Sequence, residues 1–355
     1  MLAIILVAAV VIAVTWIIRK RRRPSIEPAP AEMEEIPEKP WYCNVHNCTV
    51  KDIKRYHPLS ALPLSDNTKF INPHGIMTLC DIHPTSLPYS KFLPDYYHAL
   101  HHLNCIRSVY VYTNWLPEFL RVYWPFRYPI VLVTGLVVKD ATPDMIPDLN
   151  HPHLAHWFAQ NFDGPSHAKI TPLPLGINYH TLSQTKTYWG PQATPLEQEA
   201  DLLARISNIK SAPCTAAMRI PYSDTAFERK ETRKQVYEKV QPQVTSLSER
   251  VNRNALWDTY AMHSFIVSPH GRGLDCHRTW EILALGRIPI VRTSSLDPLY
   301  DGLPVMILDK YEDLNQELMV NFKKHAEKKW DTYNWDKLTM AYWDTLIHRP
   351  WEANK

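Results

Sequence analysis

The sequence predicts an α/β protein with two Rossmann-like domains and an N-terminal transmembrane helix. Three observations support this prediction: an apolar run opens the chain, apolar strands alternate with helical segments from residue 106 onwards, and 355 residues suffice for two domains. Repeated βα units favour parallel sheets with helices on both faces. Because the alternation forms two sets that divide near residues 185–200, we expect two such domains to face each other across a cleft.

The strands and helices follow from the hydrophobic pattern of each segment. Residues 129–138 form an almost continuous apolar run, which suits a buried parallel strand. In the first half we expect strands at 106–112, 129–138 and 169–176, and a short amphipathic helix at 153–161. In the second half we expect strands at 264–268, 288–291 and 304–308, and helices at 195–210, 227–240, 257–263, 276–285 and 311–329.

These patterns divide the chain into five segments. A transmembrane anchor at 1–18 precedes a stalk at 19–40, which is first basic and then rich in Pro and Glu, as in extended linkers. The two Rossmann-like domains occupy 41–190 and 191–329. Four tryptophans mark the tail at 330–355, which we expect to form helices that pack back across the domains.

The N-terminal segment predicts a single membrane span. Residues 2–18 are apolar apart from Thr15, and a helix of that length extends about 25 Å, near the lower limit for crossing a bilayer. A run of five cations, residues 19–23, follows the apolar stretch, whereas a cleavable signal peptide carries its positive charge first. The positive-inside rule places this run, and the rest of the chain, in the cytosol. The alternative is a Golgi or endoplasmic reticulum lumenal domain, in which the glycosylation sequon at Asn47 would be usable.

Composition excludes several classes of function. Five of the 39 basic residues lie in the membrane-proximal run, so the 36 acidic residues slightly outnumber the rest, and no nucleic-acid footprint is expected. The six cysteines contain no CxxC pair, which argues against a zinc ribbon. His151, His153 and His156 cluster, but their spacing does not place them on one helix face, and HExxH is absent. We therefore expect neither a metal site nor a cofactor.

One segment, between a strand and a helix, contains the residues that we expect to bind a ligand. Residues 268–281 read SPHGRGLDCHRTWE, and their Gly-x-Gly turn lets backbone amides approach a phosphate at a helix N-terminus. Arg278 offers a cationic fork for a diphosphate, and Glu281 could accept hydrogen bonds from ribose hydroxyls. The alternative is an ion pair on an exposed helix, preceded by a simple turn. The predicted pocket contains Ser268, His270, Gly271, Arg272, Gly273, Asp275, His277, Arg278, Glu281 and Arg292.

At this point the sequence resembles a known family. The run GLDCHRTWEILALGRIPIV, followed by LDPLYDGLPVMILD, is similar to the donor-binding half of exostosin-like glycosyltransferases, and WFAQNFDG with KITPLPLGINYHT resembles upstream segments of viral and algal members. The resemblance implies a GT-B fold, an N-terminal acceptor domain, a C-terminal nucleotide-sugar donor domain and no obligatory metal. It also implies that Arg278 binds the diphosphate and Glu281 the ribose. Arg287 departs from the pattern, because members often carry Cys there.

The sequence offers four candidates for the catalytic base of such an enzyme. An inverting transferase needs a carboxylate or a histidine in the N-terminal half to deprotonate the acceptor hydroxyl. Asp163 and Asp140 lie near the ends of predicted elements and are the first candidates. His74 and Asp81 are further candidates.

The expected function is therefore transfer of a hexose or pentose from a nucleotide sugar to a hydroxyl group of a glycan or glycoprotein. The reaction is expected to be inverting and metal-independent, with the membrane as a further partner. The alternative is a membrane-tethered module that binds a glycan or a partner without catalysis. A hydrolase or kinase is disfavoured, since neither GxSxG nor GxxxxGKS/T occurs.

Overall fold

The computed structural model describes residues 68–84, 100, 106–136, 140–179, 190, 193–208, 211–219, 231–247 and 251–352. All of them belong to one compact unit, Cys43–Lys355. The predicted anchor and stalk lie outside the described residues. Within the described ranges, no helix combines the length and apolar character that a membrane span requires.

The first half of this unit is built on a four-stranded parallel sheet. A short helix, α1 (Pro73–Thr78), precedes strand β1 (Ser108–Tyr112), and helix α2 (Leu116–Tyr123) connects β1 to β2 (Ile130–Gly135). Strands β3 (Leu154–Gln160) and β4 (Ile170–Leu173) complete the order β1-β2-β3-β4. Every residue of β1 and β2 is buried, as the apolar runs predict.

The predicted helix at 153–161 is wrong, because this segment forms β3. Trp157 and Phe158, which are neighbours in the chain, are both buried, so the segment is covered on both faces and has no polar side. The Trp157 indole donates to Thr134 Oγ1 on β2 (3.0 Å), and His156 bonds Thr171 Oγ1 on β4 (2.8 Å). A short run with apolar residues on both faces is ambiguous between helix and strand, and here pairing with two neighbouring strands decides the outcome.

The second half is built on a five-stranded parallel sheet. Helix α3 (Pro195–Ser207) leads into β5 (Ala216–Arg219), α4 (Arg233–Val240), β6 (Val244–Leu247), α5 (Arg253–Ala261) and β7 (Phe265–Val267). Helix α6 (His277–Ala284), β8 (Ile288–Arg292) and β9 (Met306–Leu308) follow. The strand order is β6-β5-β7-β8-β9, with every pair parallel. The parallel α/β architecture predicted from the sequence is confirmed.

Local sequence explains the helix boundaries in this half. Thr194 and Glu197 form a reciprocal capping box at the start of α3. The predicted helix at 311–329 divides into a 3₁₀ turn, Tyr311–Asp313, and helix α7 (Gln316–Lys328), because the Asn315 side chain accepts from Leu318 N–H and begins a new helix. Other 3₁₀ turns lie at Thr113–Trp115, Pro143–Met145, Asp297–Tyr300, Trp330–Thr332 and Trp335–Leu338.

The C-terminal tail returns to the first half of the unit. Helix α8 (Met340–Glu352) follows a short backbone pairing in which Ile71 N–H donates to Leu338 O (2.8 Å) and Met340 N–H donates to Lys69 O (2.9 Å). Trp343 on α8 is buried. One hydrophobic cluster includes side chains from both sheets, so the two halves share a core.

Candidate functional site

The loop that follows β7 is docked on the carboxyl ends of the first sheet. Asn161, directly after β3, accepts from Asp275 N–H (3.0 Å), and Asp275 Oδ2 accepts from Leu175 N–H (2.7 Å) after β4. His277 Nδ1 donates to Gly176 O (2.8 Å). The segment predicted to bind a donor therefore lies where the two sheets meet, at the carboxyl edge that open α/β folds use for ligands.

The side chain of Asp275 joins the two halves at this junction. Its side chain is buried, and it accepts hydrogen bonds from Leu175 N–H, Trp280 Nε1–H and Cys276 N–H, each at 2.7 Å. Burial raises the pKa of Asp275 to about 6, although these hydrogen bonds oppose the shift. Both carboxylate oxygens are thus engaged by the protein itself.

This raised pKa predicts a pH dependence of stability. The folded state holds the proton of Asp275 more tightly than the unfolded chain, whose carboxyl titrates near 3.8, so the contribution is complete below pH 4 and is lost as pH rises through 6. We expect the unfolding free energy of the wild type, relative to Asp275→Asn, to fall by about 3 kcal/mol between pH 3 and pH 7. Urea titrations at several pH values measure the difference. A difference that is constant with pH would contradict the assignment.

The two glycines of the loop have different roles. A Cβ on Gly273 would lie 2.4 Å from Asn161 Oδ1, the atom that accepts from Asp275 N–H. A Cβ on Gly271 would meet nothing within 4 Å. Gly273 is therefore required for contact between the sheets, whereas the position of Gly271 leaves space open beside the loop.

Substitution by alanine separates these roles. Gly273→Ala must displace the buried Asn161 amide, so we expect a loss of about 1–3 kcal/mol of unfolding free energy. Gly271→Ala is the matched control, with an expected change within about 0.5 kcal/mol. Equal melting temperatures for the two variants would disprove the close contact.

Other predicted residues of the loop organise the loop itself. His270 Nδ1 donates to Leu274 O (2.6 Å), and Ser268 Oγ bonds Thr279 Oγ1 (3.0 Å) in a buried position. Arg272 is exposed. These contacts shape the turn between β7 and α6. Arg278 lies on the first turn of α6, directly after this turn.

Arg278 lies in a pocket of buried polar atoms. Among the residues that the structure describes, Arg278 Nη1 and the Tyr311 hydroxyl are buried without a hydrogen-bond partner, while the Tyr260 hydroxyl lies next to the Arg278 guanidinium and helps to raise its pKa. Burial raises the pKa of both tyrosines, and the positive charge of Arg278 counteracts the shift in each. Cys276, the N-cap of α6, makes no side-chain cap hydrogen bond. Donors without partners therefore converge beside a helix N-terminus.

Two further arginines border this pocket. Arg219 is the last residue of β5 and acts electrostatically on Tyr260, while Arg292 is the last residue of β8 and acts on Tyr311. Arg292 also lies 3.7 Å from the carboxylate of Glu231. Two arginines thus end the strands β5 and β8, and the third, Arg278, lies on the helix that follows β7, the strand between them. We call the group formed by Arg219, Tyr260, Arg278, Arg292 and Tyr311 the arginine pocket.

Glu281 lies one turn further along α6 and is buried. Burial raises the pKa of its carboxyl, and the charges of Arg253, Arg278 and Arg219 oppose the shift. The structure thus places Glu281 as a counter-charge among arginines, beneath the arginine pocket. The predicted ion pair on an exposed helix is not what forms here, because Glu281 is inside the protein.

The four base candidates occupy different places. Asp81 accepts from Arg107 N–H (2.6 Å) and Ser108 N–H (2.9 Å) at the amino end of β1, on the edge opposite to the junction. Asp163 is exposed after β3, and its Oδ1 accepts from Ser295 Oγ (3.0 Å) of the second half. Asp140 lies beside it, since Ala141 and Phe162 form a bridge. His74 lies on α1, close to His277.

Sequence reasoning did not find three residues of the arginine pocket. Tyr260 and Tyr311 are ordinary aromatics within a helix and a turn, and no local pattern distinguishes them from core residues. Arg219 ends a strand that was not predicted.

A groove of about 710 Å³, lined in part by Arg205, Asp258 and Met262, lies away from the arginine pocket, at the amino ends of β5 and β7. In the described part of the chain, no cluster of three or more His, Cys, Asp or Glu side chains is arranged to hold a metal ion.

Comparisons with known proteins give a limited result. No family model matches the sequence, and no curated protein sequence matches it, so the exostosin-like resemblance remains a prediction. Two solved structures of variants of the wall teichoic acid polymerase TagF are similar at 11% identity over 70% of this chain and 90% of the TagF chain. Their TM-scores are 0.24 and 0.22, which do not establish a shared function.

Proposed function

We propose that this chain is a glycosyltransferase of the GT-B type that binds the diphosphate of a nucleotide sugar in the arginine pocket. The observation that carries the proposal is the guanidinium of Arg278, whose buried Nη1 has no hydrogen-bond partner in the described part of the chain. Leaving a buried donor unpaired costs about 1–3 kcal/mol, and more when the group is charged. A ligand that supplies anionic oxygen atoms at this position removes that cost.

A diphosphate suits the pocket better than a neutral ligand. Arg278 offers a planar fork of donors, and the Tyr311 hydroxyl adds one more within the same cluster. Arg219 and Arg292 add positive charge at the strand ends. The start of α6, whose N-cap side chain makes no cap hydrogen bond, contributes a partial positive charge. Together these groups would neutralise a departing nucleoside diphosphate without a divalent ion.

The junction of the sheets suits the second substrate. Asp163 and Asp140 lie at the carboxyl edge of the first sheet, and Asp163 contacts Ser295 of the second half. An acceptor hydroxyl of a glycan or glycoprotein held there would face a sugar attached to the bound diphosphate. In this proposal the loop with Gly271 borders the phosphates and the reaction is inverting, while Glu281 is buried as a counter-charge to the arginines and is not assigned to the ribose.

A donor screen tests the proposal. The wild-type chain is melted with UDP-, GDP- and CMP-sugars, and release of free nucleotide is measured in parallel. At a concentration 100 times Kd, one nucleotide sugar is expected to stabilise the fold by about 2.7 kcal/mol, a shift of several degrees in Tm. If no donor raises Tm, the transferase proposal fails. Binding without turnover would favour the alternative of a non-catalytic glycan- or partner-binding module.

We also propose that residues 1–18 tether the enzyme to a membrane with the catalytic part in the cytosol. The support is the order of the apolar run and the five cations that follow it. In sealed vesicles from expressing cells, added protease is expected to digest the catalytic part without detergent. Protection until detergent is added would instead place it in the lumen.

A further inference from the structure

Trp330 forms one wall of a small cleft at the amino edge of the second sheet. The cleft has a volume of about 160 Å³ and lies between the C-terminal end of α7 and Ile288, the first residue of β8. A Cβ on Gly286 would lie 3.7 Å from Trp330 Cζ2, so the indole faces the chain directly before this strand. Because Arg292 ends the same strand, the cleft and the arginine pocket lie at opposite edges of the sheet.

The polar side chains of the cleft provide donors and an acceptor. Arg287 is buried directly before β8 and donates from Nη2 to Ala261 O (2.6 Å). Lys323 on α7 donates to Ala212 O (2.8 Å) and lies 3.6 Å from the carboxylate of Glu327. These three side chains share the cleft. Because 59% of the Glu327 side chain is exposed, its carboxylate is open to a ligand that arrives from solvent.

Trp330 also belongs to a cluster of three half-buried aromatic rings. Its ring centroid lies 5.0 Å from that of Trp335 and 6.3 Å from that of Tyr333. Trp335 Nε1–H donates to Trp330 O (2.9 Å), which fixes the turn between the two indoles. Trp335 and Tyr333 each pack against one of the two hydrophobic clusters of the core, whereas Trp330 belongs to neither. The Trp330 indole is thus held in place at the cleft without being used to fill the core.

We propose that this cleft binds one sugar ring of a glycan, with the indole of Trp330 as the stacking surface. A pyranose ring presents C–H groups on its face and hydroxyl groups around its edge. Its face suits an aromatic ring, and its edge suits a small number of placed polar groups. Use of the cleft as an anchor for the acceptor rests on the proposed function, whereas binding of the glycan does not.

The ion pair within the cleft favours a neutral, hydroxyl-rich ligand. The charges of Lys323 and Glu327 largely cancel, while the pair places a donor and an acceptor side by side. Neighbouring hydroxyl groups of a sugar both donate and accept, so they match such a pair. Exposed Asp331 and Thr332 directly follow Trp330 and add polar groups outside the cleft, as expected for the rim of an interaction site.

An anchor at this position would act through local concentration. A glycan chain that is held at the cleft by one sugar ring remains attached to the protein while its free end is released from the reaction centre. Rebinding of that end is then an intramolecular event, which raises the effective concentration of the acceptor.

The test observes each indole of the full chain by fluorine NMR after incorporation of fluorotryptophan. The Trp330 resonance is assigned by its loss in Trp330→Phe. Methyl glycosides of glucose, galactose, mannose and N-acetylglucosamine, and the corresponding disaccharides, are the probes. At least one probe is expected to shift the Trp330 resonance saturably. The resonance of Trp115, which is 37% exposed in a turn of the first half, is the internal control and is expected not to move.

Variants identify the groups that bind the sugar. In Trp330→Ala, with binding read from the Trp335 resonance, affinity is expected to fall at least about tenfold, because the stacking surface is lost. Trp330→Phe keeps an aromatic ring and is expected to retain part of the affinity. Glu327→Ala is expected to weaken binding about threefold through loss of an acceptor. Trp115→Ala is the matched control and is expected to leave Kd unchanged.

Other outcomes overturn the inference. If no probe shifts the Trp330 resonance, the cleft does not bind sugars. If a folded Trp330→Ala binds like the wild type, the indole is not the stacking surface. Should Trp330→Ala fail to fold, an unchanged Kd in Glu327→Ala, a substitution of an exposed side chain, contradicts the proposed cleft.

Arg278→Ala separates this inference from the proposed function. Because the arginine pocket lies at the other edge of the sheet, this variant is expected to bind the sugar probes like the wild type. Loss of the Trp330 shift in Arg278→Ala would place the sugar elsewhere and overturn the inference. If the wild type binds a sugar probe at Trp330 but no nucleotide sugar, the transferase proposal fails while the glycan site stands.

Discussion

Replacing Arg278 with alanine is expected to weaken binding of the nucleotide sugar about 100-fold without lowering the stability of the free protein. The guanidinium would supply two charge-assisted hydrogen bonds, worth together about 3 kcal/mol. In the ligand-free protein, Nη1 has no partner among the described residues. Burying this charged group costs free energy that no hydrogen bond at Nη1 offsets, so replacing Arg278 with alanine is not expected to destabilise the fold. Loss of binding and unchanged or raised Tm are expected together. Calorimetric titration and thermal melting measure the two quantities.

Two companion variants make this result specific. Arg121→Ala removes an arginine from the surface of α2, where 71% of the side chain is exposed, and is expected to leave Kd unchanged. Arg278→Lys keeps the charge but loses the fork, so an intermediate Kd is expected. If Arg278→Ala binds donor like the wild type, or unfolds at a much lower temperature, Arg278 is a structural residue and not a ligand for the diphosphate.

Replacing Asp275 with alanine is expected to reduce the unfolding free energy by about 3 kcal/mol. The substitution leaves three donors without their carboxylate: the buried Trp280 Nε1–H and the partly buried Leu175 N–H and Cys276 N–H. Each such loss costs about 1–3 kcal/mol, and relief from burying a charge offsets part of the sum. The effect should also loosen the contact between the two sheets, because Leu175 lies in the first half and Asp275 in the second.

Asp309→Ala provides the control for this prediction. Asp309 is exposed after β9, and its removal is expected to change stability by less than about 0.5 kcal/mol. Urea unfolding of both variants measures the difference. Should Asp275→Ala match Asp309→Ala, the carboxylate does not hold the sheets together, and its predicted role in donor binding becomes the better explanation.

The apolar strands were the most predictable part of the second sheet. The segments that became β7, β8 and β9 are apolar runs bounded by turns, and helix α3 carries a capping box that can be read directly from Thr194 and Glu197. In contrast, β5 consists of the residues AAMR and β6 of VTSL. Segments of four residues are too short to show a strand pattern of their own, and pairing with neighbouring strands forms them.

The site was predicted in outline but not in its details. The segment 268–281 does lie at the carboxyl edge of a parallel sheet, and Arg278 does begin a helix there. The contacts that Asp275, Gly273 and His277 make with the first half, however, involve residues 100 or more positions earlier in the chain. No local sequence pattern shows that these residues join two sheets, because their partners are brought close only by the tertiary fold.

The most direct test of the account is a structure of this chain with the stabilising nucleotide sugar bound. We expect phosphate oxygens within hydrogen-bonding distance of Arg278 Nη1 and of the Tyr260 or Tyr311 hydroxyl, and the sugar directed toward the junction of the two sheets. A nucleotide seated elsewhere, for example in the groove beside Asp258 and Met262, with Arg278 still without a partner, would contradict the central claim.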